Sequence, residues 1–304
     1  MFLKPSTKKF YQESRLAPHF SLKDLLHGYL YLRWPYLYIG VGTGEHKLAK
    51  PLAFLFQVFQ KFFPAPKQGN SEQTFADGYH GKVVPLEQAS QLITVNQEIK
   101  IDDLDQIIPY QSARSIILKN PDQIAVLECP CRAARENPCQ PLDVCLIVGE
   151  PFASFVLEHH PKKSRKVTQQ EALQILQEED ARGHVHHAFF KDAMLQRFYA
   201  ICNCCSCCCG AMQAMRNGTP MLAPSGYILQ LEEEKCVGCG VCIEYCQFKA
   251  LSLQNGKIHL DEALCMGCGV CVDKCKQQAH HLVRDERKGQ PLEIKALMEK
   301  AAAN

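Results

Sequence analysis

One spacing of cysteines occurs twice near the C-terminal end of this 304-residue chain and constrains its fold more than any other feature. The first copy consists of Cys236, Cys239, Cys242 and Cys246, and the second consists of Cys265, Cys268, Cys271 and Cys275. In each copy two residues separate the first three cysteines, and three residues precede the fourth. Thiols at such short intervals favour metal ligation over disulfide bridges between distant segments.

The residues around these cysteines repeat as well, at an offset of twenty-nine positions. The matching pairs are Gly238 with Gly267, Gly240 with Gly269, Val241 with Val270, and Ala250 with Ala279. Glycine lets the backbone wrap closely around a compact group, so that amide N–H groups can point at its sulfurs. The repeat therefore predicts two pseudo-symmetric halves that exchange their fourth thiolate.

The double run resembles that of bacterial ferredoxins, in which three thiolates of a run hold one [4Fe–4S] cube and the fourth reaches the other. The resemblance implies one cube on Cys236, Cys239, Cys242 and Cys275, and a second on Cys265, Cys268, Cys271 and Cys246. A pair of zinc sites is the alternative. Zinc ribbons, however, use two C-x2-C pairs on either side of a longer loop, which neither copy shows.

Both runs depart from the ferredoxin pattern at the residue after the last cysteine, where proline is usual. Gln247 follows Cys246, and Lys276 follows Cys275. Either residue keeps a backbone N–H that proline lacks, and Lys276 adds a positive charge that would raise the potential of a nearby cube. We still expect low reduction potentials, because the module as a whole resembles bacterial ferredoxins.

A further ten cysteines lie in the middle of the chain, six of them within eight residues. They are Cys129, Cys131, Cys139, Cys145, Cys202, Cys204, Cys205, Cys207, Cys208 and Cys209. So many adjacent thiols would oxidise or mispair unless a metal or a function restrained them. We expect a subset, drawn from both halves of this set, to hold one additional iron–sulfur cluster or another metal. A dithiol/disulfide relay is the alternative. Arg132, beside Cys131, would hold an acceptor near a cluster or form a salt bridge.

Several strings in this middle region extend the resemblance. They are Glu128-Cys-Pro-Cys-Arg132, Pro138-Cys-Gln-Pro-Leu-Asp-Val-Cys145, Gly183-His-Val-His186 and Ile201-Cys-Asn-Cys-Cys-Ser-Cys-Cys-Cys209. Together they are similar to a family of 4Fe–4S dicluster proteins that carry a cysteine-rich domain before the ferredoxin module. This resemblance covers roughly residues 80 to 285 and implies iron–sulfur electron transfer without naming a substrate. Cys208-Cys209-Gly210 is only loosely similar to the Cys-Cys-Gly motifs of heterodisulfide reductase subunits.

The composition narrows the classes of partner. A formal net charge of only +2, without a basic stripe, argues against nucleic acid. The N-terminus lacks the apolar core of a signal peptide, and the abundant thiols favour a reducing cytoplasm. No segment approaches the roughly 18 to 20 apolar residues that span a bilayer. The apolar stretch Leu52 to Phe63 predicts a core helix, with peripheral membrane contact as the alternative.

We predict an α+β fold in four regions. Residues 1–100 form an aromatic-rich, mixed N-terminal region, and residues 101–225 a cysteine-rich, mainly helical domain with the extra metal or cluster site. Residues 226–285 form the ferredoxin-like domain with two [4Fe–4S] clusters, and residues 286–304 a helical tail.

Local signals place several elements within these regions. Thr168 and Glu171 have the spacing of a capping box, which predicts a helix that ends near Gly183. Tyr227–Leu231 predicts the first strand of the ferredoxin module, and the segment from His280 to Val283 predicts a last strand that pairs with it. Between them, Asn255-Gly256 predicts the turn of a hairpin.

The leading hypothesis is an iron–sulfur electron carrier, or the electron-transfer subunit of an oxidoreductase, that acts with redox partner proteins. A self-contained enzyme is less favoured, because no substrate pocket is evident in the sequence. The first alternative is a cysteine- or cluster-dependent reductase that acts on a disulfide or a small oxidant. The second is a redox sensor or a cluster-assembly factor.

Overall fold

A central mixed sheet organises the part of the chain that the computed structural model describes, residues 4–17, 20–51, 79–101, 104, 107 and 115–303. Its strands are β1 (Tyr79–Val84), β2 (Ile99–Ile101), β3 (Ile116–Glu128), β4 (Asp143–Glu150), β5 (Ser164–Val167), β6 (Val185–Lys191), β7 (Arg197–Cys204) and β8 (Leu222–Ala223). They lie in the order β2–β3–β4–β7–β6–β1–β8, and β5 pairs with β3. Only β1 and β8 pair in parallel; the other pairs are antiparallel.

Helices cover both faces of this sheet. They are α1 (Pro5–Arg15), α2 (Leu22–Arg33), α3 (Pro35–Gly42), α4 (Leu86–Ile93), α5 (Pro130–Ala133), α6 (Phe152–His159), α7 (Gln169–Ala181), α8 (Gly210–Arg216) and, at the C-terminus, α11 (Ile294–Ala303). Residues of α4, α7 and α11 share one buried apolar cluster, and residues of α1, α2, α6 and α8 share another. The α+β class is confirmed.

The middle region contains more sheet than the mainly helical arrangement that we predicted. Strands β3, β4, β6 and β7 all pair within the central sheet, and every residue of β6 is buried. Because β4 and β6 are buried on both faces over nearly their whole length, they lack the alternation that marks a half-buried strand. The capped helix does form as predicted: it is α7, and the Thr168 hydroxyl accepts a hydrogen bond from the Glu171 N–H at 3.1 Å.

The C-terminal module has the strands that its sequence predicts. Strand β9 (Tyr227–Leu231) pairs antiparallel with β12 (His280–Arg284). Between them lie α9 (Val241–Tyr245), the hairpin of β10 (Leu251–Gln254) and β11 (Lys257–Leu260), and α10 (Val270–Asp273). The hairpin turns at Asn255 and Gly256, whose φ angles are +51° and +75°, as the Asn-Gly signal predicts.

The C-terminal module packs directly against the sheet region. Met266 and Val270 belong to the same buried cluster as the apolar residues of α2, α6 and α8. The Ser225 hydroxyl donates a hydrogen bond to the Gly267 carbonyl at 2.7 Å. At the end of α7, a Cβ on Gly183 would lie 2.3 Å from Cδ1 of Tyr245, so this turn touches the module closely.

No helix among the described residues combines the length and the apolar character needed to cross a bilayer. The stretch from Leu52 to Phe63, for which the sequence predicts a core helix or a membrane contact, lies outside the described residues.

Two glycines give a matched test of the packing between module and sheet region. Gly183 and Gly218 each follow a helix and have φ angles of +81° and +88°, but a Cβ on Gly218 meets nothing within 4 Å. Alanine at either position costs about 1 kcal/mol in backbone strain, and only Gly183→Ala also displaces Tyr245. We expect Gly183→Ala to melt several degrees below Gly218→Ala in thermal unfolding followed by circular dichroism. Equal melting temperatures would contradict this contact.

Candidate metal centres

The first cysteine run and the last cysteine of the second run line one cavity. Its thiols are those of Cys236, Cys239, Cys242 and Cys275. Burial, together with the nearby sulfurs of Cys239, Cys236 and Cys275, raises the pKa of Cys242 to about 11. Four thiols from two separate runs therefore line one cavity, where a cationic centre would stabilise their thiolates.

The second run forms a corresponding group with the last cysteine of the first. Burial raises the pKa of Cys268 to about 12, and the sulfurs of Cys246 and Cys265 act in the same direction. The pKa of Cys271 is also raised, first by burial and then by Cys268, Cys246 and Cys265. The structure thus places the four thiols of this group close enough to influence one another.

Backbone amides point at the fourth sulfur of each group. The Ala250 N–H donates to Sγ of Cys246 at 3.2 Å, and the Ala279 N–H donates to Sγ of Cys275 at 3.4 Å. Hydrogen bonds of this kind stabilise a thiolate. These two alanines are a matching pair in the sequence repeat. In the structure, the backbone of each half turns so that the alanine N–H faces the sulfur of the cysteine four residues earlier.

Glycine is required where the cysteine loops pass close to other backbone. Gly238 has a φ of +67°, and a Cβ there would lie 2.2 Å from the Gly256 carbonyl oxygen. Gly267 has a φ of +63°, and a Cβ there would lie 2.1 Å from the Tyr227 carbonyl oxygen. These loops therefore wrap as tightly as the repeat predicts, and the thiols, amides and glycines together suit a compact iron–sulfur cluster.

Gln247, which stands where ferredoxins have proline, links the second group to the cysteine-rich region. Its Oε1 accepts a hydrogen bond from the Ser206 N–H at 2.8 Å, and its Nε2 donates to the Gly183 carbonyl at 2.9 Å. In the sequence, this position stands out only because proline is missing, which leaves a backbone N–H. The contacts of the Gln247 side chain become visible only in the folded structure.

An inner cavity on one face of the sheet collects most of the cysteines of the middle region. Eight cysteines line it: Cys129, Cys131, Cys145, Cys202, Cys204, Cys205, Cys208 and Cys209. They come from the end of β3, from α5, from β4, from β7 and from the loop before α8. The hydroxyls of Tyr31 and Tyr199, 2.9 Å apart, lie on its wall. The fold thus unites segments that are distant in the chain, as the sequence leads us to expect.

Thiols in this inner cavity share protons. Hydrogen bonds from Cys131 and Cys145 lower the pKa of Cys129. The pKa of Cys145 is raised by its hydrogen bonds with Cys129 and Cys202 and by burial. In an apolar cavity these sulfurs cannot all ionise without positive charge, and a metal centre would take the place of the shared protons.

Arg132 forms the salt bridge that was one of its two expected roles. Its guanidinium pairs with Glu179, and both side chains are buried. The same group donates to the Asn203 carbonyl at 3.0 Å and contacts His184 Nδ1 at 3.1 Å. The pair ties α5 to α7 at the wall of the inner cavity, next to Cys131.

Four thiols form a separate, tighter set, which we term the outer thiol group. Its members are Cys139, Cys205, Cys207 and Cys208, whose sulfurs all lie within 4.8 Å of one another. Sγ of Cys207 is 3.1 Å from that of Cys139 and 3.8 Å from that of Cys208. Cys207 is exposed and Cys205 and Cys208 are buried. Spacing alone did not distinguish this group, in which Cys205 and Cys208 also line the inner cavity whereas Cys139 and Cys207 do not.

All eighteen cysteines are free in the structure, so none is engaged in a disulfide. Comparison with known proteins supports a metal-binding role for the C-terminal ones. A family described as "4Fe-4S binding domain" matches residues 229–252. Ferredoxin-2 of Desulfomicrobium norvegicum is 44% identical over 32 residues, which cover 10% of this chain and 54% of that ferredoxin. The chain therefore contains a 4Fe–4S binding domain of ferredoxin type, downstream of a cysteine-rich region.

The Gln247 bridge can be tested against its counterpart in the other repeat. Lys276 occupies the equivalent position after Cys275 and is exposed. Loss of a hydrogen bond of about 1 kcal/mol increases local opening about fivefold. We expect Gln247→Ala to accelerate hydrogen exchange of the Ser206 amide by about that factor, and Lys276→Ala to leave it unchanged. Unaltered Ser206 exchange in Gln247→Ala would show that the bridge does not hold this loop.

Proposed function

We propose that this chain is an electron-transfer protein, or the electron-transfer subunit of an oxidoreductase, with two [4Fe–4S] clusters and a further cysteine-ligated cluster. The first cluster would be held by Cys236, Cys239, Cys242 and Cys275, and the second by Cys265, Cys268, Cys271 and Cys246. The observation that carries this proposal is the cavity in which Cys275 joins the three thiols of the other run. Such an exchange of the fourth ligand is characteristic of two-cluster ferredoxins.

The surroundings of the two groups support cluster binding beyond the thiols themselves. Each fourth cysteine accepts a hydrogen bond from the alanine N–H four residues later. Such hydrogen bonds, with burial and net charge, set the potential of an iron–sulfur cluster, which exchanges single electrons. The Lys274 ammonium donates to the Ala181 carbonyl at 2.7 Å and lies 5.1 Å from the ring of Tyr245. This positive charge stays beside the first group, which would favour its reduced form.

The inner cavity is our proposed location for the further cluster. It is buried and apolar, and its thiols are spread over several elements instead of converging on one point. Such a spread suits a multinuclear centre, whose irons each take a different thiolate. The backbone amide of Arg132 donates to the Cys129 thiol, and that of Gly210 to the Cys131 thiol. The cavity therefore supplies both thiolate ligands and amide donors.

A short connection joins the ferredoxin module to this cavity. Cys246 is followed by Gln247, whose side chain is hydrogen-bonded to Ser206, and Ser206 lies between Cys205 and Cys207. Cys205 also lines the inner cavity. We propose that electrons pass between the two regions through this contact. The direction of transfer then depends on the relative potentials of the two centres.

The thiol group of Cys236, Cys239, Cys242 and Cys275 lies on a side of the module that is open to solvent. Cys239 is exposed, and Val237 beside it is 66% exposed. We propose that redox partner proteins dock here, where a cluster would lie close to the surface. Eighteen free thiols also require reducing surroundings, and we propose a cytoplasmic location on that basis.

Metal and sulfide analysis of anaerobically purified protein tests the assignment. We expect about twelve or more iron atoms with matching acid-labile sulfide, since the two ferredoxin cubes account for about eight. Cys129→Ser combined with Cys131→Ser should remove only the excess, because neither residue touches the ferredoxin groups. Cys239→Ser is the matched control: it should deplete the first ferredoxin site and retain the excess.

Two outcomes would contradict different parts of the proposal. A wild-type content of about eight irons that the double substitution leaves unaltered would rule out the inner cluster. The assignment of the two ferredoxin clusters would still stand. If the purified protein contains zinc in place of iron and shows no EPR signal on reduction, the proposed electron-transfer function is ruled out.

A further inference from the structure

The outer thiol group has the dimensions of ligands around a single ion. A metal bound to thiolate at about 2.3 Å in tetrahedral geometry has ligand sulfurs about 3.8 Å apart. The measured separations are 3.1 Å between Cys139 and Cys207 and 3.8 Å between Cys207 and Cys208, and all four sulfurs lie within 4.8 Å of one another. Small adjustments of side-chain torsion would make the four sulfurs a regular tetrahedron.

The ferredoxin cysteines provide an internal standard for comparison. In a cube each thiolate binds a different iron, so the four sulfurs must lie farther apart than the ligands of one ion. Within the described part of the chain, neither ferredoxin group nor the inner cavity supplies even three sulfurs that fall within 4.8 Å of one another; the outer thiol group does. The same structure therefore separates two kinds of thiol site by size.

We infer that Cys139, Cys205, Cys207 and Cys208 bind one divalent metal ion in tetrahedral geometry, Zn²⁺ or Fe²⁺, separate from the iron–sulfur clusters. Thiolates are the soft ligands that both ions accept in four-sulfur sites. Four protein ligands leave no open position, which is the arrangement of a structural site. This inference does not depend on the proposed electron transfer, because it concerns an ion without sulfide.

Residues around the outer thiol group hold its backbone in place. The Arg135 guanidinium donates to the Cys208 carbonyl at 3.3 and 3.1 Å and to Gln213 Oε1 at 3.0 Å. On the other side, Gln247 accepts a hydrogen bond from the Ser206 N–H at 2.8 Å. Such outer partners orient metal ligands and raise the affinity of a site.

The position of the group indicates what the ion does. Cys139 lies in the loop between α5 and β4, and the other three cysteines lie in the loop between β7 and α8. Cys205 and Cys208 also line the inner cavity. One ion would therefore fasten the two loops together and close this wall of the cavity, beside the contact with the ferredoxin module.

The test uses full-length protein purified without oxygen and analysed for zinc, iron and acid-labile sulfide. We expect one zinc, or one iron without matching sulfide, per chain. Cys139→Ser and Cys207→Ser should each release this ion to a chelator at least about tenfold faster, since loss of even an outer partner costs tenfold or more, and both should keep their sulfide. Cys131→Ser is the control: it lines the inner cavity but is not in the outer group, so it should keep the ion.

Cobalt substitution gives a second, spectroscopic measurement. One equivalent of Co²⁺ bound at the outer group should produce the intense visible bands of tetrahedral cobalt thiolate, and Cys207→Ser should abolish them. The inference is overturned if Cys139→Ser loses iron and sulfide together, because the thiol would then belong to a cluster. It is equally overturned if mass spectrometry finds a Cys139–Cys207 disulfide and no ion in the anaerobic protein.

Discussion

The crowding of thiol sulfurs inside an apolar protein is the constraint on which the rest of this structure depends. Sulfurs a few ångströms apart repel one another once they lose their protons, and burial strengthens that repulsion. The loops nevertheless bring these groups together from segments far apart in the chain. The sheet, the buried Arg132–Glu179 pair and the close packing at Gly183 hold the loops in place. These contacts therefore hold the thiols at positions where a bound cation would be stabilised.

The parts of the fold that follow from local signals were predictable. Tyr227–Leu231, the Asn255-Gly256 turn and the Thr168 cap each depend on a few neighbouring residues, and each forms as the sequence indicates. The central sheet was not, because its strands are covered on both faces and therefore lack a periodic pattern. The separation of the middle cysteines into two sets was also beyond sequence reasoning, since Cys205 and Cys207 are close in the chain yet only the first also lines the inner cavity.

The two cysteine runs, although nearly identical in sequence, face different surroundings. The second run is packed into the sheet region through Met266 and Val270. The first leaves Cys239 and Val237 open to solvent, while its last cysteine leads into Gln247, which contacts the cysteine-rich region. A symmetric repeat has thus acquired an inner and an outer side. In a freely diffusing ferredoxin neither half need be distinguished, but here the packing gives the module an orientation.

Cys139 and Cys207 are 68 positions apart in the chain, a separation that bears on how the outer thiol group forms. The first three cysteines of each ferredoxin run lie within seven residues, and the fourth ligand from the other run is at most 39 positions away, so these sites close less chain. The loop of Cys139 leads into β4 and the loop of Cys207 follows β7, so the pairing of these two strands brings the two loops together. An ion that bound the second loop early would occupy ligands before their partner arrived. If the outer group binds an ion as inferred above, we expect metal insertion there to follow assembly of the sheet, with the thiols of the newly made chain kept reduced until then.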